Sequence, residues 1–229
     1  MEESYGLLAF VDGLEEALRL VRVQKLSDKL SDKIEFIKGD IIELEPLLRS
    51  EEDYEKLKEA VDAGLEDLMQ SLEKGEKDAS VKAVEELQTQ IFELKRAFGI
   101  EKAKEMINGN RFTFLSTVDE NRKTNTAFCG SATIIDDNHV AVAWLLLGRS
   151  INNINGSKRA TIIGFRANEN NPMATEMVRV YCILEREEAE GPVSDQMRRF
   201  LEKGGGKGLA AAMKKVYLFK IEEIRVSIP

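Results

Sequence analysis

The chain of 229 residues is 43% apolar and 32% charged, the composition of a globular protein rather than a disordered one. Its formal net charge of −8 argues against a general nucleic-acid binder, whose footprint is a dense basic patch. No apolar run approaches membrane-spanning length, and the acidic start MEESYGLLAFVDGLEE lacks the basic opening of a secretory signal, so a cytoplasmic protein without membrane or nucleic-acid partners is expected.

The charge is unevenly spread. Residues 1–105 carry 16 Lys and Arg against 27 Asp and Glu, a net of −11, whereas residues 106–229 carry 17 against 14, a net of +3. Cys129 and Cys182 stand far apart and outside any CxxC spacing, which argues against a disulfide framework and against a zinc site.

From about Gly13 to Asn108 the apolar residues recur at helical spacing. The first stripe is Leu30, Ile34, Ile37, Ile41, Leu44 and Leu48, on a helix that Gly39 and Pro46 are expected to kink or break. Ser50, followed by Glu51, Glu52 and Asp53, has the form of an N-cap with acids in the first turn. A second stripe runs Leu57, Val61, Leu65, Leu68, Leu72, and a third runs Val84, Leu87, Ile91, Leu94, Phe98, with Gly99 placed as its C-terminal stop. Such helices bury their stripes against one another, so residues 1–105 are predicted to form an antiparallel helical bundle. This half has no His and no Cys, and none of the Glu-x-x-His pairs of a di-iron bundle. Packing, dimerisation or contact with a protein partner is the role expected of it.

After Asn108 the period shortens to two and β-branched residues become common. Strands are predicted at 112–118, 126–135, 140–146, 160–165, 177–187 and 216–226, with turns at 119–123 and 136–138. Helical segments are expected only at 150–156 and 194–203. Many strands with few helices point to a six-stranded barrel over residues 106–229, and to an α+β multidomain chain as a whole. Gly204–Gly205–Gly206–Lys207–Gly208 lacks the Lys-[Ser/Thr] ending and the preceding strand of a phosphate loop, so a flexible loop is expected there.

The stretch from His139 to Phe165, HVAVAWLLLGRSINNINGSKRATIIGF, combines a strand, Gly148–Arg149–Ser150, a short polar helix and a second strand. A guanidinium, a hydroxyl and free amides at a helix start form a natural phosphate site. The apolar run from Trp144 to Leu147 can cover a flat ring. Together they suggest FMN. Read alone, Arg149–Ser150 is better taken as a plain helix cap and Trp144 as a plain core aromatic.

The run from Arg111 to Phe165, with the closing strand VYLFKIEEIRVSIP, resembles the FMN-binding split-barrel family. That superfamily includes pyridoxamine 5′-phosphate oxidases, flavin reductases and small FMN-binding electron carriers. The resemblance spans roughly residues 106–229. It implies that Phe128, Cys129, Gly130, Ser131 and Thr133 run along the cofactor, and that Ala143, Trp144 and Leu145 lie against the isoalloxazine. It further implies that Arg149 and Ser150 grip the phosphate, and that a homodimer holds the flavin at its interface, with Arg179 contributed from the partner. Phe128 stands where some members have Arg, which shifts phosphate binding toward Arg149, Lys158 or Arg159. The C-terminus EEIRVSIP lacks the His expected of a true pyridoxamine-phosphate oxidase. His139, the single histidine, falls in a predicted turn and makes a poor haem ligand. No side chain stands out as acid, base or nucleophile, so the expectation is an oxidoreductase or electron carrier whose chemistry belongs to the flavin. The alternatives are an F420-binding oxidoreductase on the same fold and a non-catalytic sensor or interaction protein acting through the bundle.

Overall fold

A computed structural model describes residues 7–24, 26, 28–44, 47–48, 50–109, 112–145, 148–167, 171 and 175–227. The expected kink at Pro46, the predicted strand end at Leu146, Leu147 of the ring-covering run, and the last two residues, Ile228 and Pro229, fall outside them. The chain divides into two compact units, Met1–Phe98 and Gly99–Pro229.

The first unit is built from α1 (Leu8–Gln24), α2 (Asp28–Leu44), α3 (Glu51–Glu73) and most of α4 (Lys77–Ala103). Pairing fixes their directions. Lys38 meets Glu15 at 2.6 Å and Arg22 meets Glu35 at 3.5 Å, so α1 and α2 are antiparallel. Lys33 meets Glu85 and Lys95 meets Asp40, each at 2.6 Å, so α2 and α4 run the same way. Phe10 stacks on Tyr54 and Gln24 donates to the Leu72 carbonyl, which makes α1 and α3 parallel as well. The result is an up-down-up-down bundle. Leu30, Ile34, Ile37, Ile41 and Leu44 are fully or almost fully buried, as are Leu57, Val61, Leu68, Val84, Leu87 and Ile91. Each such side chain contributes about 1.5–3 kcal/mol, against roughly 0–1 kcal/mol for a solvated ion pair, so the stripes hold the bundle and the charges set its pairing. Gly39 sits exposed within α2 without ending it.

The Ser50 cap forms as predicted: its Oγ accepts from the Asp53 amide at 3.2 Å. Ser50→Ala is expected to cost about 0.5–2 kcal/mol, read as a lower urea midpoint for the bundle at an unchanged m-value.

In the second unit, α4 does not stop at Gly99. It continues to Ala103 and passes into a π-helical turn, Lys104–Asn108. Gly99 is instead a point of close approach, since a Cβ there would lie 3.3 Å from Ile224. The strands are β1 (Thr113–Val118), β2 (Thr124–Phe128), β3 (Ala132–Asp136), β4 (His139–Ala143), β5 (Arg159–Arg166), β6 (Glu176–Glu188) and β7 (Val216–Ser227). Two helices interrupt them, α5 (Gly148–Ser157) and α6 (Pro192–Ala212). The sheet is antiparallel throughout, in the order β2-β1-β5-β6-β7-β4-β3.

Seven strands replace the expected six because the predicted 126–135 strand is two. A turn at Gly130 and Ser131 breaks it, with the Ala132 amide donating to the Cys129 carbonyl at 3.4 Å across the turn. The break sends β2 and β3 to opposite edges of the sheet. Laid flat, seven strands would separate those edges by about 29 Å. The link from Phe128 to Ala132 reaches only about 14 Å at full stretch. The sheet must therefore curl into a barrel, left split between β2 and β3. Its interior holds Leu115, Ile134, Val140, Val142, Ile162, Val178, Val180, Tyr217, Phe219 and Ile221. A second cluster on the outer side of β4 and β7 is covered by Met197 and Leu201 of α6 and by Met213. Asn108 guards the β3 edge: its amide donates to the Ile134 carbonyl and accepts from the Ile134 amide, at 3.0 and 2.8 Å. Among the described residues no helix is long and apolar enough to cross a membrane.

Candidate cofactor site

The turn that splits the barrel also opens a cleft. Phe128, Cys129, Gly130 and Ser131 form one wall, Ala143 and Leu145 the floor, and Phe200, Leu201, Gly204, Gly205 and Leu209 of α6 the opposite wall. Its volume is about 340 Å³. That is the lower end for small-molecule sites, room for a ring system with a tail projecting outward. Among the described residues no charged side chain lines it. A phosphate placed inside would lose its hydration without a partner at a cost of several kcal/mol, so an anionic tail must lie elsewhere.

The cleft thus gathers six of the residues singled out in the sequence: Phe128, Cys129, Gly130, Ser131, Ala143 and Leu145. The other four do not line it. Thr133 is buried on β3, two residues beyond Ser131 on the same face, and its hydroxyl has no hydrogen-bond partner among the described residues. Trp144 turns to the other side of the strand, against Tyr217 of the barrel core at 6.2 Å, with Lys214 and Lys215 over its ring. Ser150 is 1% exposed and accepts from the Asn125 amide at 3.0 Å. Its hydroxyl ties β2 to α5 rather than facing solvent as a phosphate grip would. Arg149 remains: exposed at the start of α5, and without an ion pair among the described residues.

Within the cleft Ser131 donates to the Ala143 carbonyl at 3.1 Å, which locks the turn onto β4. Burial pushes the Cys129 thiol pKa up, only partly offset by the Ser131 hydroxyl and nearby amides. Burial likewise raises Cys182. Both thiols are therefore neutral at pH 8 in the folded protein. Iodoacetamide should modify neither within minutes at that pH, and both rapidly once the chain is denatured; mass spectrometry reads the outcome, and fast labelling of native Cys129 would contradict it.

Among the described residues no cluster of three His, Cys, Asp or Glu side chains is placed to hold a metal. His139 opens β4 rather than lying in a turn. Both of its ring nitrogens are taken up, Nδ1 by Asp136 at 2.8 Å and Nε2 by Glu185 at 3.0 Å.

Neither a protein-family model nor a curated protein matches the sequence. Among solved structures, an FMN-binding protein from Syntrophomonas wolfei subsp. wolfei is similar at 24% identity, over 64% of this chain and 97% of that one, with a TM-score of 0.57. The Gly99–Pro229 unit has the FMN-binding split-barrel fold. A weaker likeness is to HupZ from Group A Streptococcus, 17% identical over 55% of this chain and 91% of that one, TM-score 0.45. HutZ, the heme storage protein from Vibrio cholerae, is 14% identical over 55% and 92%, TM-score 0.44.

In this split barrel the α6 wall is what the sequence did not reveal. The spacing of Val193, Met197, Phe200 and Leu201 marks an apolar face, but nothing local says which strands it covers. The glycine run was expected as a free loop. It lies within α6, and Gly204 and Gly205 line the cleft.

Proposed function

We propose that the protein is a homodimeric FMN-binding flavoprotein, an oxidoreductase or electron carrier but not a pyridoxamine-phosphate oxidase. The observation that carries this reading is an uncharged cleft opening at the split of a barrel of the FMN-binding fold. The residues fit the cofactor in two parts. The cleft between Phe128–Ser131, Leu145 and α6 takes the ring; Arg149 and the free amides of the first turn of α5 take the phosphate, where the helix dipole and a charge-assisted contact add. The bound flavin supplies hydride or single-electron transfer. The chain's own residues position the ring and exclude water. Cys129, held neutral, contributes packing rather than nucleophilic chemistry. A deazaflavin with a long anionic tail would ask for a broader basic groove, and among the described residues no basic side chain lines this one.

The dimer is supported by the outer face of the sheet. Phe112 and Phe128 are 62% and 57% exposed and meet edge to face at 6.3 Å. Phe114 continues the row onto Phe165, stacked at 5.7 Å. Aromatics in such a row are the usual core of a protein interface. Phe128 belongs both to this row and to the cleft, so a second copy seated there would close the flavin site.

The test is purification of the full chain without added cofactor. A yellow protein that releases FMN on denaturation and runs as a dimer on sizing is expected. A colourless monomer that does not rebind FMN would overturn the proposal.

A further inference from the structure

We infer that residues 204–209 of α6 form a glycine-hinged strap over the cleft, which the ligand must displace, and that the strap selects a flat, uncharged ring. Identification of that ring as a flavin rests on the reading above; the strap does not. Three observations bear on it. First, α6 is buried toward both ends and exposed between them. Ser194, Met197 and Leu201 are buried at one end and Met213 at the other, while 205–209 are exposed although Gly205 and Leu209 line the cleft. Arg198 donates to the Ala210 carbonyl at 3.3 Å, from one half to the other.

Second, the backbone breaks within the strap. Gly206 has φ 80° and ψ 174°, a conformation open in practice only to glycine. Gly204, Gly205 and Gly208 surround it, so this stretch has little side-chain packing and much backbone freedom. Third, Leu209 folds back over that break. A Cβ on Gly205 would lie 2.4 Å from Leu209 Cδ2, so the glycine is what lets the leucine lie against the strap and face the cleft. Leu209 is still 38% exposed, an apolar side chain held at the rim rather than sunk in the core. With Phe200 beside it, the side chains that line this wall are apolar; Lys207 of the strap is exposed and does not line the cleft. A ring that carries charge would be desolvated by the strap without compensation and rejected.

The experiment uses the full chain and two ligands, FMN and the neutral aromatic probe N-phenyl-1-naphthylamine, with release followed by stopped-flow fluorescence. Leu209→Ala should speed release of both by about tenfold, with Leu209→Met restoring the original rate. Gly206→Ala, barred from φ 80°, should also speed release while leaving the thermal transition in place. Hydrogen exchange without ligand should show amides 206–212 opening at least about tenfold faster than amides 197–201. Exchange equally slow in both segments overturns the strap. If FMN binds and its release ignores Leu209→Ala, the strap fails and the flavin reading survives. If the neutral probe binds with Leu209-dependent release and FMN does not bind, the flavin reading fails and the strap stands. If neither ligand binds, both fail.

Discussion

Replacing Arg149 with alanine is expected to raise the dissociation constant for FMN by about 10- to 100-fold, the loss of a charge-assisted contact of roughly 1.5–3 kcal/mol. The effect should be confined to the phosphate. Riboflavin, which has the ring and ribityl chain without the phosphate, should bind the wild type and the variant alike. The ratio of FMN to riboflavin affinity therefore collapses in the variant. Because Arg149 is exposed, the wild-type preference for FMN should also shrink as salt rises toward 0.5 M. Arg149→Lys should recover part of the loss, since a point charge replaces a bidentate fork. Equilibrium titration by flavin fluorescence checks all three, and equal losses for FMN and riboflavin would contradict the assignment.

The second large effect is on the barrel itself. Phe219 is fully buried on β7, paired across the sheet with Val140 and Leu184, and stacked on Tyr217 at 6.4 Å. Phe219→Ala should cost about 3–5 kcal/mol, from lost transfer energy and the cavity left behind. Domains of this size hold about 5–15 kcal/mol in all, so a large part of the stability of the Gly99–Pro229 unit disappears with one side chain. Urea unfolding should show a strongly lowered midpoint for the transition that carries the Trp144 signal, and FMN binding should be lost at a lower urea concentration with it. A midpoint shift worth less than about 1 kcal/mol would mean that β7 is not the centre of the core.

Much of the fold was legible because it is written in local periodicity. The stripes Leu30–Ile34–Ile37–Ile41 and Val84–Leu87–Ile91 needed no tertiary information to be read, since a period of 3.6 in apolar residues is itself the packing face. The Ser50 cap was legible for the same reason: donor and acceptor are three residues apart. What could not be read depends on partners distant in sequence. Residues 126–135 alternate like one strand, and the pairing of Phe128 and Cys129 with β1, followed by the turn at Gly130 and Ser131, is what breaks them and opens the cleft. Gly99 looked like a helix stop, but the reason for a glycine there is Ile224, far along the chain.

The site divides along the same line. Phe128 to Ser131, Ala143 and Leu145 could be placed together because the resemblance supplied the pairing of strands that sequence alone lacks. Ser150 was assigned to the phosphate from its place at a helix start, yet Asn125 of β2 claims its hydroxyl. Trp144 alternates with Ala143 and Leu145 along the chain, so if those two face the cleft it must face away, toward Tyr217. The α6 wall was missed because a run of glycines signals a loop. Flanking anchors at Leu201 and Met213 hold it against the sheet regardless of its low helix propensity.

The most direct test of the account is a crystal structure of the protein soaked or grown with FMN. The isoalloxazine should lie between Phe128–Ser131, Leu145 and the Phe200–Leu209 wall, with the phosphate on Arg149 at the start of α5. A flavin ring bound away from that cleft, or saturating FMN that leaves the cleft without a ring, would contradict it.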